Sequence, residues 1–148
     1  MCCLSTQVSE NLPPIEYVDE NHFNELFSML VKGTFFTVQQ ILPLIPEGGT
    51  IILNTSIVTN GNPQFSVYSA AKAAVQSLIK TIAAECTSRG IRVNGVSPGY
   101  INTNGFNNSG LSRQQIDGAI ESITPTIPFK RFGDLSKIAC AVLFLASA

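Results

Sequence analysis

Phe23, Leu26, Phe27, Leu30, Thr34, Val38, Ile41 and Leu42 recur at the three- and four-residue intervals of one helical face. Asp19 stands in front of them as an N-cap, and the helix should end within Pro43 to Pro46. Glu47-Gly48-Gly49 then turns the chain into Thr50-Ile51-Ile52-Leu53-Asn54, a short, continuously apolar, β-branched run of the kind buried on both faces of a parallel sheet. No strand is predicted before it. A polar loop marked by Asn60-Gly61-Asn62-Pro63 leads to an Ala- and Leu-rich helix over about 66–88, which Gly90 closes, and Ile91 to Val96 reads as the next strand. Strand, helix and strand at this spacing predict a right-handed βαβ unit with parallel strands. Ser97-Pro98-Gly99 breaks the second strand and opens a polar loop through Gly110; helices follow over about 112–123 and 135–146, separated by Pro125, Pro128 and Gly133. The pattern is that of one α/β domain over 1–148. Two parallel strands cannot cover both sheet faces and their own edges, so further protein is expected beside them.

Composition bears on that expectation. The 148 residues are 45% hydrophobic and only 13% charged, with a mean hydropathy of +0.24, against about 25% charged in a typical soluble domain. Lipid is not what covers the difference: the uncharged stretch from Gly33 to Pro46 holds Thr, Gln and Pro and is too short to span a bilayer. The first residues lack a basic region followed by an apolar one, so a cytoplasmic protein without a membrane segment is expected. A net charge of −1 without a basic cluster argues against nucleic acid as a partner. The four cysteines, Cys2, Cys3, Cys86 and Cys140, lack metal or dithiol spacing and are expected to be free and mostly buried. His22, the single histidine, reads as a solvated surface residue.

Chemistry concentrates in Ser56 to Lys72. Tyr68 and Lys72 are four apart at the start of a helix, so their side chains share a face. Ser56 lies just beyond the C-terminal end of a strand, where open α/β sheets form ligand sites. A phenol with a pKa of about 10 is a poor acid or base at neutral pH, but an adjacent ammonium favours the phenolate. Tyr68 and Lys72 are thus a candidate proton-transfer pair, and Ser56 a hydrogen-bond donor to a reacting oxygen. Taken singly, Tyr-x-x-x-Lys occurs by chance in many helices and Tyr68 reads first as a residue packed on the sheet. The combination separates the two readings.

With these residues together, the chain resembles the short-chain dehydrogenase/reductase family over about 15–146. Lys32-Gly33-Thr34-Phe35-Phe36 resembles the family's central helix, and Thr50-Ile51-Ile52-Leu53-Asn54-Thr55-Ser56 the strand leading to its serine. Tyr68-Ser69-Ala70-Ala71-Lys72-Ala73-Ala74-Val75 resembles its Tyr-Lys helix, and Ile91 to Gly99 the following strand and turn. The resemblance implies a Rossmann-like, doubly wound parallel sheet, here without its N-terminal cofactor-binding βαβ units and its last strand. It implies hydride transfer between NAD or NADP and a small carbonyl or alcohol substrate. Tyr68 would be the acid/base, Lys72 would lower its pKa and bind the nicotinamide ribose, and Ser56 would polarise the carbonyl. Pro98, Gly99, Ile101 and Thr103 match the loop facing the nicotinamide end of the cofactor. It further implies a homo-oligomer built through the helices at 20–43 and 66–88. A second function class follows from that: an inactive fragment acting only as a dimerisation or interaction module.

The chain departs from the family pattern in four places. No G-x-G-x-x-G loop follows a strand, so weak dinucleotide affinity is expected for this chain alone. The family's Asn-Asn-Ala-Gly segment, expected just before Ile15, is absent from Cys2 to Pro14. Leu30 stands where the family places a proton-relay asparagine and reads as core packing. Ser56 and Tyr68 are 12 positions apart, one fewer than the usual spacing, and a shortened loop is able to misplace Ser56.

Overall fold

The structure, a computed structural model, describes residues 2–4, 13–103 and 112–147. Asp19 caps the first helix as its sequence requires, its carboxylate accepting from the His22 backbone N–H at 2.8 Å. The expected single helix is divided into α1 (Glu20–Phe27), a π-helical turn over Ser28–Lys32 and α2 (Gly33–Ile41). The reason lies in the buried row Leu26, Leu30, Thr34 and Val38, whose members are four apart. An α-helix turns 100° per residue, so each step of four overshoots a full turn by about 40° and the row would leave the core within two or three turns. One wide turn takes up that drift.

The sheet has three strands in the order β1 (Cys2–Leu4), β2 (Thr50–Asn54), β3 (Arg92–Val96), all parallel, with Cys2 opposite Ile51 and Thr50 opposite Arg92. The predicted βαβ unit is present, its crossover helix α3 running Ser66–Glu85. Strand β1 corrects the two-strand expectation. Three residues are too few for any hydrophobic alternation to register, and Cys2–Leu4 is a strand because Ile51 to Leu53 offer it a ladder.

One face of the sheet carries the main core, with Ile51, Leu53 and Val93 packed on Val75 and Ile82 of α3 and Val38 of α2. Ile52 points to the opposite face, also buried, where α5 (Leu135–Ala146) crosses β2 and β3. Arg92, also on that side of β3, donates to the Leu145 and Ser147 carbonyls at 2.8 and 3.0 Å and so holds the C-terminal end of α5. Gly90, at φ +62°, makes the left-handed turn from α3 into β3. Helix α4 (Arg113–Ile123) begins on a Ser112–Gln115 capping box. Two short strands absent from the sequence reading, β4 (Ile101–Asn102) and β5 (Gly133–Asp134), pair in parallel.

The low charge has a visible counterpart. Phe35 and Phe36 of α2 are 42% and 47% exposed, Leu143 and Phe144 of α5 63% and 78%. Cys86 is buried as expected, whereas Cys140 is exposed because nothing described packs on its side of α5; the side chains of Cys2 and Cys3 lie outside the described residues. His22 is half-buried rather than solvated. Among the described residues no helix is long and apolar enough to cross a membrane.

Candidate functional site

Strand β2 ends at Asn54, and two residues later Ser56 is still extended before capping a 3-10 turn over Ile57–Asn60, its hydroxyl accepting from Val58 N–H at 3.4 Å. The parallel crossover brings the first turn of α3 to this same end of the sheet. Tyr68 and Lys72, one helical turn apart, therefore face the end of β2, and Ser56 is hydrogen-bonded to the Tyr68 side chain. Ser56 thus reaches Tyr68 across the short spacing. Gly61 at φ +88° and Gln64 at φ +69° shorten the loop by left-handed backbone, which Gly tolerates and Gln adopts at a cost of about 1 kcal/mol. Ser69, which the sequence reading passed over, ties helix to turn by donating to the Val58 carbonyl at 2.8 Å. Phe65 closes the other side of Tyr68, edge to face at 6.1 Å between ring centres.

Lys72 is fully buried and donates to the Asn54 carbonyl at 3.1 Å, with its Nζ 5.7 Å from the centre of the Tyr68 ring. Burial pushes the Lys72 ammonium below its ordinary 10.5. Burial also pushes the Tyr68 phenol above its ordinary 10.0, against an opposing pull from the Ser56 hydrogen bond. Burial is the larger of the two influences on Tyr68, and the Ser56 hydrogen bond the smaller. Leaving water costs the phenolate more than its neighbours return.

An ammonium has three N–H donors, and a single carbonyl accepts from Lys72 among the described residues. Two donors remain for vicinal hydroxyls such as those of a ribose. That donor set, beside a phenol with a serine partner, fits the nicotinamide-ribose end of NAD(P). Leu30 is fully buried against Val67, Ala71 and the flank of Tyr68, as its core reading required, and offers no polar atom there.

The second wall of the site comes from β3. The pairing of β2 and β3 outlasts both strands: Thr55 N–H donates to the Val96 carbonyl at 2.8 Å and Ile57 N–H to the Pro98 carbonyl at 3.3 Å. Pro98 is thereby placed across from Ser56 and Ile57. A Cβ on Gly99 would stand 3.4 Å from Ile57 Cδ1, so this wall lies in contact with the serine turn. Ile101 is in β4, half-buried, and Thr103, also half-buried, ends the described stretch; the rest of the polar loop, Asn104 to Gly110, lies outside the described residues. The C-terminal segment braces this wall through Gly133 N–H, which donates to the Tyr100 carbonyl at 2.9 Å, and through Phe132, 5.7 Å from the Tyr100 ring. No sequence signal marked that brace, because it joins residues more than thirty positions apart. Among the described residues no cluster of His, Cys, Asp or Glu could hold a metal ion.

Comparison with known proteins follows the same lines. The family model described as enoyl-(acyl carrier protein) reductase matches residues 6–148. An uncharacterized oxidoreductase of Methylorubrum extorquens is 37% identical over 134 residues, covering 90% of this chain and 53% of the relative. The 3-oxoacyl-[acyl-carrier-protein] reductase FabG of Staphylococcus epidermidis is 42% identical over 131 residues, covering 86% and 51%. The crystal structure of the angucycline C-6 ketoreductase LanV with bound NADP superposes with a TM-score of 0.80 at 30% identity, over 89% of this chain and 49% of that one. The chain spans about half the length of the curated relatives it matches.

Proposed function

The chain belongs to the short-chain dehydrogenase/reductase family, and from that premise we propose that it carries the proton-transfer and nicotinamide-facing part of an NAD(P)-dependent oxidoreductase acting on a small carbonyl or alcohol. The observation that carries this reading is the convergence of Ser56, Tyr68 and buried Lys72 at the end of β2. In reduction, Tyr68 Oη gives its proton to the carbonyl oxygen while Ser56 Oγ holds the same oxygen by a hydrogen bond. In oxidation the proton returns from the alcohol to the phenolate. Lys72 holds ribose hydroxyls with the two N–H groups that Asn54 leaves, and Pro98, Gly99, Ile101 and Thr103 line the nicotinamide side. The nicotinamide, when bound, supplies or accepts the hydride.

The site as built addresses the nicotinamide half of the dinucleotide, and the chain carries no Gly-rich phosphate loop. Titration of NADH and NADPH into the 148-residue chain, followed by nicotinamide fluorescence, should give saturable but weak binding, with Kd on the order of 1 mM. Reduced nicotinamide mononucleotide should compete at a similar concentration. Absence of saturation would overturn the reading, and micromolar binding would overturn its restriction to the nicotinamide half.

A specific observation favours a second role for the same chain. Met29, Phe35 and Phe36 lie exposed on α1 to α2, and such a patch marks a contact surface. We propose that this face joins a second copy of the chain. Size exclusion should show a dimer or larger species that Phe35→Glu converts to monomer; a parent chain eluting as monomer at tens of micromolar removes this role.

A further inference from the structure

Where β2 and β3 end, their pairing loses a donor. Arg92 N–H donates to the Gly49 carbonyl at 2.9 Å, so in this parallel register the even-numbered residues of β3 face β2. Continued past Val96, the next N–H on that side would belong to residue 98, which is proline and has none. The ladder is therefore one-sided at the level of Ser56, where the two walls of the site have to keep their separation.

Thr55 stands at that gap. It is 3% exposed, and its side chain doubles the last rung before the gap: Oγ1 donates to the Val96 carbonyl at 3.2 Å, beside its own N–H at 2.8 Å. The carbonyl can only accept, so the Thr55 proton goes there, and the neighbouring Ser97 hydroxyl donates to Thr55 Oγ1. Ser97 immediately precedes Pro98, and Thr55 immediately precedes Ser56. One hydroxyl pair thus links the last residue before each wall.

We propose that Thr55, with Ser97 as its partner, is a positioning residue of the reaction site, holding the Ser56 wall and the Pro98–Gly99 wall at the separation that admits the nicotinamide ring beside the substrate carbonyl. The assignment rests on the reading of that site given above. Thr55 touches neither reactant; it acts through the backbone on both sides of it.

The test compares the 148-residue parent with Thr55→Val, which keeps the shape and removes the hydroxyl, and Thr55→Ser, which keeps the hydroxyl. Native-state hydrogen exchange at Ile57 N–H reads the link directly, with Ile51 and Leu53 N–H in the body of β2 as reference. Binding of reduced nicotinamide mononucleotide reads the consequence. Thr55→Val should exchange Ile57 N–H about tenfold faster relative to the references and bind the mononucleotide about tenfold more weakly, and Thr55→Ser should restore both to within about threefold. A Val variant with unchanged Ile57 exchange, or with faster exchange and unchanged binding, overturns the role of Thr55 alone. A parent that binds no mononucleotide overturns the reading of the site and the role with it. Should Thr55→Val fail to fold, Ser97→Ala at its exposed position carries the test: about threefold weaker binding supports the link, and parent-like binding and exchange overturn it.

Discussion

Tyr68→Phe is expected to lower carbonyl reduction by about 10²–10⁴-fold while leaving the fold intact. The substitution removes one oxygen. The ring keeps its edge-to-face contact with Phe65 and its place against Leu30, Val67 and Ala71, so the melting temperature should move by no more than about 2 °C. The oxygen removed is the one proposed above to give the proton. Ser56 Oγ remains but is a far weaker acid, and the N–H groups of Lys72 are assigned to the Asn54 carbonyl and the ribose. Steady-state reduction of a small ketone with NADPH, set beside a thermal melt, separates the two effects. Unchanged turnover in a folded variant removes Tyr68 from the mechanism.

The same residue sets the pH dependence. Because burial holds the phenol above its ordinary 10.0, it is protonated across the neutral range, which suits a proton donor. Reduction should therefore be level through neutral pH and fall only on the alkaline side. Oxidation needs the phenolate, which is scarce there, so its rate should rise about tenfold per pH unit below the Tyr68 pKa. A bound nicotinamide adds a positive ring in the oxidised state and would bring that rise to lower pH.

Lys72→Met is expected to separate stability from binding in opposite directions. A fully buried ammonium with one carbonyl acceptor is held in place at the expense of its hydration. Met has nearly the same length and no charge, so the variant should be more stable by about 1–2 kcal/mol, or roughly 2–8 °C in melting temperature for a domain of this size. Binding of reduced nicotinamide mononucleotide should fall below detection, because both ribose donors leave with the ammonium. The gain depends on pH with a definite sign. The folded-state pKa of Lys72 lies below 10.5, so between the two values the unfolded chain binds more protons and the parent gains stability as pH rises. The variant lacks that rise, so its advantage is full below the folded pKa and shrinks toward 10.5. Equal stability of parent and variant across this range would mean that Lys72 is not strained by burial; retained binding would mean that it does not hold the ribose.

Residues whose role is local were readable before any fold was known. Asp19 as a cap, Gly90 as a left-handed stop and the β-branched run from Thr50 to Asn54 each express a preference of a few consecutive residues. Leu30 as core followed from its neighbours at three and four residues' distance. The π-helical turn at Leu30 was not readable, because which residues of the long apolar stripe are buried, Leu26, Leu30, Thr34 and Val38, depends on what packs against the helix. Strand β1 and the β4–β5 pair were hidden for a related reason: two or three residues become a strand only when a partner edge is present.

The candidate site divides in the same way. The four-residue spacing of Tyr68 and Lys72 put them on one helical face by geometry alone, and the parallel crossover put that face at the end of β2. Sequence by itself thus determined the βαβ unit, the order of the main helices around it, the family and the three candidate side chains. Tertiary structure decided whether Ser56 reaches Tyr68 across a shortened loop, which it does through left-handed backbone at Gly61 and Gln64. It also decided the direction of the Tyr68 shift, because desolvation depends on everything that surrounds a group, and a spacing on one helix records only one neighbour of it.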